Sequence, residues 1–459
     1  MVRDLYKQLQ EWKDNLYRKP MVLHGARQVG KTWLINAFGE KEFENCVVLN
    51  CDKDERIAGI FEHGYRTDRM IADMEVISGQ KITPGKTLIF IDEVGEVPKA
   101  LASLKYFCED APQYHVIVAG SLLGLAIHKG VSYPVGKVDE YTLYPLSFPE
   151  FVRAKMGESA WERLTKDEIG SLSSLRSTFT ELLREYYFVG GMPEVVQGYV
   201  DQRSYEDLRK IQKQILADYA LDISKHADTR ILGRIHQVWN SIPQQLGKCN
   251  RKFVYGDIQK GARAKDFELA IQWLIDAGII YKIPRVRKAG IPLKYYEDFT
   301  AFKLFSVDHG LMGAQMDAPI SEILLKQNVF EEYKGTFTEQ FVLEQLLCSF
   351  SGDVFFYNDE TSKLEIDFLI QVDSKLVPIE VKAEENLQAK SLKQFYKLHP
   401  DSMPVRVSMS DYRKQEWMTN IPLYAASRIS SSVEGFEGEE EKLKLREQIL
   451  LEEKQRIEQ

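Results

Sequence analysis

Three groups of residues have types and spacings suited to chemistry. Residues 25–32 read Gly-Ala-Arg-Gln-Val-Gly-Lys-Thr and fit G-x-x-x-x-G-K-[ST] with no mismatch. Gly25 and Gly30 permit backbone angles closed to other residues. The N–H groups of Ala26, Arg27, Gln28 and Val29 can then turn inward as an anion nest, with a helix N-terminus behind it. Lys31 would place a point charge between β- and γ-phosphates, and the Thr32 hydroxyl is a hard ligand for magnesium. Further on, Asp92 and Glu93 close the run Thr-Leu-Ile-Phe-Ile-Asp-Glu at 87–93. Asp92 can hold magnesium through water, and Glu93 is placed to polarise an attacking water. In the last third, Asp367 lies in an apolar run, with Glu380 and Lys382 in the run after it. Two carboxylates there could hold magnesium or manganese while Lys382 orients water or steadies a pentavalent phosphate. Glu339, upstream, could add a third carboxylate.

The elements that must position these groups can be read around them. Residues 20–24 are short, apolar and opened by Pro, a buried strand, and residues 33–38 are helical up to Gly39. Strand, glycine loop, helix is the context that a phosphate-binding loop needs. Residues 46–50 and 87–92 read as further buried strands, and 115–119 as another, ending in Ala-Gly-Ser. Ser121, at the tip of that strand, is placed to contact a γ-phosphate or the water. Leu5, Leu9, Trp12 and Leu16 recur at helical spacing, an amphipathic helix over 4–17. Residues 364–370 and 376–382 read as strands joined by a turn at Asp373-Ser374, which sets Asp367 beside Glu380. Alternation places Glu380 and Lys382 on one face. Thr338 can cap the helix that carries Glu339.

Composition bounds the whole. The chain has 459 residues, 44% hydrophobic and 28% charged, with net charge −8, so it is not a nucleic-acid-coating protein. Five scattered cysteines with no C-x-x-C suit reduced thiols. The start of the chain lacks a signal core, and no run approaches 18 apolar residues. The expectation is a cytoplasmic chain with no membrane span. Locally the charge reverses: residues 250–295 hold ten basic and four acidic residues, a balance of +6. Helical patterns at 231–246 and 265–278, with a short β stretch at 253–255 between them, precede a hairpin of 279–283 and 293–297, which describes a winged helix whose basic residues, Arg285, Arg287 and Lys288 among them, suit phosphate backbone. Asp218 and Asp222, on one helix face, read as solvated. Residues 433–459 are acidic, with Leu443, Leu450 and Ile457 every seven residues, an exposed helical arm.

The chain resembles the bacterial and archaeal AAA-type P-loop ATPases that join an N-terminal ATPase to a C-terminal domain of unknown function, part of which is similar to PD-(D/E)xK nucleases. The matching words are residues 25–32, Ile-Asp-Glu-Val at 91–94, Ala-Gly-Ser at 119–121, Leu-Tyr-Pro-Leu-Ser-Phe at 143–148 and Val-Gly-Gly-Met-Pro-Glu at 189–194. The resemblance covers about residues 1–425. It departs in two places: Gly95 stands where the family usually has Gln, and Gly136-Lys137 where it usually has Gly-Arg. If that Arg is an arginine finger acting on a neighbouring subunit, Lys137 takes its place without the planar, bidentate contact of a guanidinium.

The expected fold is α/β. It comprises a P-loop AAA-type ATPase domain over 1–154, a helical lid or linker over 155–228 and a winged helix over 229–312. A restriction-endonuclease-like α/β domain follows over 313–432, then the charged tail. The expected function is magnesium-dependent ATP hydrolysis coupled to DNA binding, with metal-dependent DNA cleavage as a second activity and a homo-oligomer as its setting. The alternative is a nucleotide-controlled protein-interaction switch whose nuclease-like domain is inert.

Overall fold

The computed structural model describes residues 1–120, 124, 133–248, 252–320, 331–359, 364–383 and 389–434. Ser121, Arg251 and the arm beyond residue 434 lie outside them. The chain divides into two units, each assembled from three segments. The first comprises Met1–Trp161, Leu182–Lys282 and Lys303–Gln340. The second comprises Glu162–Glu181, Ile283–Phe302 and the chain from Phe341 onward.

The first unit is built on a parallel sheet of five strands: β1 (Met21–His24), β2 (Asn45–Asn50), β3 (Thr87–Asp92), β4 (His115–Ala119) and β5 (Asp139–Thr142), in the order β2-β3-β4-β1-β5. Every residue of β3 and β4 is buried, as a parallel sheet covered on both faces requires. The chain leaves β1 for the far edge of the sheet and later returns to β1's other side. That reversal leaves a crevice at the carboxyl ends of the strands, where α/β sheets bind ligands. The loop after β1 opens into this crevice beside the end of β4. The helix that follows runs Lys31–Glu42, through Gly39 and not up to it. A Cβ on Gly39 would lie 2.6 Å from Cys46 Sγ, so the glycine serves close packing of helix on β2. The N-terminal helix is Leu5–Asp14. Leu9 and Trp12 are buried, but Leu16 falls beyond its end and is 90% exposed.

The second unit holds most of an eight-stranded sheet. Its strands are β6 (Ile280–Val286), β7 (Glu297–Ser306), β8 (Val354–Asn358), β9 (Glu365–Val372), β10 (Lys375–Val381), β11 (Val405–Ser408), β12 (Arg413–Lys414) and β13 (Thr419–Pro422). The order is β12-β13-β11-β10-β9-β8-β6-β7. β9 and β10 form the expected antiparallel hairpin, turning at Asp373 with φ 49°. An apolar core including Phe355, Ile366, Leu369, Leu392 and Phe395 packs on the sheet.

Two expectations are corrected. Residues 253–255 are not a β stretch; a short helix runs Tyr255–Ile258. Residues 293–296 form a 3-10 turn, and the returning strand is Glu297–Ser306. Strand β6 also pairs in parallel with β8 (Arg285 with Phe356, Val286 with Tyr357), so the hairpin is part of a larger sheet.

Candidate functional site

The loop at 25–32 has the backbone its sequence demands. Gly25 has φ +142°, and a Cβ there would lie 2.4 Å from the Leu143 carbonyl oxygen, so only glycine fits. Gly30, at φ +95°, starts the Lys31–Glu42 helix. Gln28 also has a positive φ, 66°. Side chains tie down the loop's carbonyls. Lys31 Nζ donates to Gly25 O at 2.7 Å and Ala26 O at 2.8 Å. The Tyr219 hydroxyl donates to Arg27 O at 2.8 Å, and Arg3 Nη1 to Val29 O at 2.9 Å. With its carbonyls held, the loop's amides are left to face a ligand.

Lys31 is 7% exposed. Burial pulls its pKa down to about 8, against the opposing pull of Glu93 and Asp92. Thr32 Oγ1 donates to Asp92 Oδ2 at 2.9 Å, so the helix hydroxyl and the β3 carboxylate meet across the crevice. Asn50 Nδ2, at the tip of β2, reaches the same oxygen at 3.4 Å. Glu93 follows with φ 49°, a conformation costly for a residue with a side chain, of the kind found at functional sites. Its amide donates to Asp92 Oδ1 at 3.1 Å. The structure thus brings Lys31, Thr32, Asp92 and Glu93 together at the carboxyl edge of the sheet. Two hard oxygens 2.9 Å apart on opposite walls suit magnesium.

Several contributors were invisible in the sequence. Asp222 is buried, not solvated: it forms an ion pair with Arg27, and Asp218 Oδ2 accepts from Gln28 Nε2 at 2.8 Å. Both acids sit on the Tyr205–His226 helix. The word at 189–194 also has a role. Gly190, at φ +73°, and Gly191 let the chain press against Leu146 and Asp308. Gly191 N–H donates to Asp308 Oδ2 at 2.6 Å, and Leu146 N–H donates to Gly191 O at 2.7 Å. Pro193 then lies 3.7 Å from where a Gly30 Cβ would be. Lys137 precedes the edge strand β5, with its Nζ 2.8 Å from Glu109 Oε1.

In the second unit, Asp367 and Glu380 face each other across the β9–β10 hairpin. Asp367 Oδ2 accepts from Val381 N–H at 2.8 Å, and Lys382 Nζ lies 2.9 Å from Glu380 Oε1. Glu380 is 6% exposed, and its Oε2 is buried without a hydrogen-bond donor among the described residues. Burial raises the Glu380 pKa, Lys382 opposes the shift, and Asp367 adds to it. Glu339 belongs to the first unit, 1% exposed, with its carboxylate 4.0 Å from Lys303 Nζ. Arg285 also departs from expectation. It does not point to solvent: it is buried in an ion pair with Asp298, and its Nη1 donates to Asn358 Oδ1 at 3.0 Å. Arg287 bonds the same Asp298 at 3.1 Å, and Lys294 bonds Asp353 at 3.0 Å.

The first site defines a P-loop ATPase domain of the AAA type: residues 17–152 match the AAA domain family. Residues 180–321 match a domain of unknown function, DUF8612, and residues 334–426 another, DUF4143. No curated protein matches the chain. Among solved structures, a Walker-type ATPase of Pyrococcus abyssi is similar at 14% identity over 69% of this chain and 96% of that one, with TM-score 0.42. The ORC1 protein of Aeropyrum pernix, in complex with DNA, is similar at 14% identity over 71% and 95%, with TM-score 0.30. Among the described residues, no helix is long and apolar enough to cross a membrane.

Proposed function

We propose that the chain binds ATP at residues 25–32 and hydrolyses it. The observation that carries this reading is the 2.9 Å meeting of Thr32 and Asp92 beside the buried Lys31. Phosphate oxygens would take Lys31 Nζ from the Gly25 and Ala26 carbonyls that hold it. Thr32 and Asp92 would hold magnesium, which neutralises developing charge on the phosphates. Glu93, aimed by its left-handed backbone, would orient and polarise the attacking water. Ser121 keeps its proposed γ-phosphate role, outside the described residues. Lys137 would serve a neighbouring copy's nucleotide: it adjoins β5, whose outer edge pairs with no further strand among the described residues. The decisive test is a pair of variants. Lys31→Ala should abolish ATP binding; Glu93→Gln should keep binding and lose turnover by roughly 10²-fold or more. Turnover by Glu93→Gln at the parent rate would remove its assigned role.

For the second unit we propose metal-dependent phosphodiester cleavage at Asp367, Glu380 and Lys382. The support is the buried, undonated Glu380 oxygen beside Asp367, an arrangement that a magnesium or manganese ion would neutralise. Glu339 belongs to the first unit and is left out of this site. Incubation of linear, circular and single-stranded DNA with manganese, with and without ATP, tests the proposal, with Asp367→Ala as the inactive control. The alternative, a nucleotide-controlled interaction switch, gains from the engagement of Arg285, Arg287 and Lys294 by carboxylates. Phosphate release stimulated by DNA favours the first reading; release indifferent to DNA favours the second.

A further inference from the structure

We propose that Arg27 tells a nucleoside triphosphate from a diphosphate by exchanging its partner Asp222 for the terminal phosphate, so that the Tyr205–His226 helix registers which nucleotide is bound. The inference rests on the ATP-binding reading of residues 25–32. Arg27 lies inside the phosphate loop, yet its ion-pair partner comes from a helix more than a hundred residues away in sequence. The guanidinium is 47% exposed and so can move; the Asp222 carboxylate is 9% exposed and cannot follow it into water. The loop's main chain is fixed at this point by the Tyr219 hydroxyl on Arg27 O, and Gln28 is held by Asp218. Of these two neighbouring side chains, the more exposed Arg27 is the one placed to change partner. Its charge already interacts with Glu93 as well as with Asp218 and Asp222, and Lys31 feels its repulsion. Arg27 is therefore within electrostatic range of Lys31, assigned to the β- and γ-phosphates, and of Glu93, assigned to the attacking water.

The exchange has a definite sign. The Arg27 end of the pair is half exposed, which weakens it as a competitor, whereas a guanidinium on a phosphate makes paired, charge-assisted bonds. Departure of Arg27 leaves the Asp222 carboxylate poorly hydrated and without its cation, a cost borne by the helix. ATP affinity and the packing of that helix are thus coupled, and the coupling is reciprocal. A diphosphate, lacking the terminal group, leaves the pair intact.

The test uses the full chain, with ATPγS and ADP as probes. Asp222→Asn should bind ATPγS three- to tenfold more tightly and ADP unchanged, because the competitor for Arg27 has gone. Arg27→Ala should lose most of the preference for ATPγS over ADP, and Asp222→Asn added to it should have no further effect. In the parent, amide exchange across 205–226 should quicken with ATPγS and not with ADP, a readout that needs no variant. Equal shifts of both nucleotides in Asp222→Asn, or an unchanged preference in Arg27→Ala, would overturn the exchange while sparing the ATP reading. A parent that binds neither nucleotide would strike the ATP reading itself.

Discussion

Lys31 joins burial, charge and ligand chemistry in one side chain. Its pKa of about 8 lies below the ordinary 10.5 because burial desolvates the ammonium. The sign follows directly. Below pH 8 Lys31 is charged and ready for phosphate. Above it, the proton must be regained on binding, so ATP affinity should be flat from pH 6.5 to 8 and weaken by up to about tenfold per pH unit beyond. Titrations at pH 7, 8 and 9 check this, and calorimetry at pH 8.5 in two buffers of different ionisation enthalpy should show proton uptake. Stability runs the other way: between pH 8 and 10.5 the unfolded chain binds the proton more tightly, so Lys31 makes the protein without nucleotide more stable as pH rises through that window. The loop, Asp92 and Glu93 were legible in the sequence because their chemistry is local and each follows a buried strand. Asp222 was not. Helical periodicity places it on a face with Asp218 but cannot say that Arg27 lies opposite.

At the scale of elements, the glycines of 189–194 explain a word that has no chemistry of its own. A Cβ on Gly191 would lie 2.3 Å from Leu146 O and 2.8 Å from Leu146 N. Gly191→Ala should cost about 1–3 kcal/mol or more by overpacking, read as a lower denaturant midpoint. Gly233→Ala is the control. It sits within the Thr229–Leu246 helix with nothing within 4 Å of its Cβ, and should gain about 0.5–1 kcal/mol. Close packing also decides where the basic stretch can be tested. Reversing Arg285 would strand Asp298 in the interior, so a fall in DNA binding would report misfolding. Lys260, Arg263 and Lys265 stand at or just before the start of the Ala264–Asp276 helix, outside any such buried pair, and are the better targets. If they bind phosphate, reversing all three should flatten the slope of log affinity against log salt by about 0.9 for each phosphate released. The first strand of the hairpin was legible from its apolar run, but the returning strand was expected over 293–297 and runs Glu297–Ser306, and the pairing with β8 was not legible, since strand partners far apart in sequence leave no periodic trace. Strands β11 and β13 were missed because four-residue runs fall below what alternation can reveal.

At the scale of the molecule, two units, each built mainly on its own sheet and apolar cluster, should respond separately to ligands. ATP with magnesium at a hundred times its dissociation constant should stabilise the unit bearing the five-stranded sheet by about 2.7 kcal/mol. Calorimetry should then show one transition moving up and the other staying in place. Manganese should do the converse in the parent and nothing in Asp367→Ala. A single transition shifted by both ligands would show that the units unfold together.

The bond from Gly191 to Asp308 spans 117 residues of chain. During synthesis at about 5–20 residues per second, the amide waits roughly 6–23 s for its acceptor. The first unit also needs the segment Lys303–Gln340, which emerges only after most of the chain has been made. The phosphate loop is therefore translated early but braced late. A nascent chain stalled before residue 308 would carry every nucleotide-binding residue of the loop without the Asp308 bond to the Gly190–Gly191 turn behind it. Such fragments should be prime clients for chaperones, and truncations drawn at the end of the AAA match should express poorly however complete their motifs.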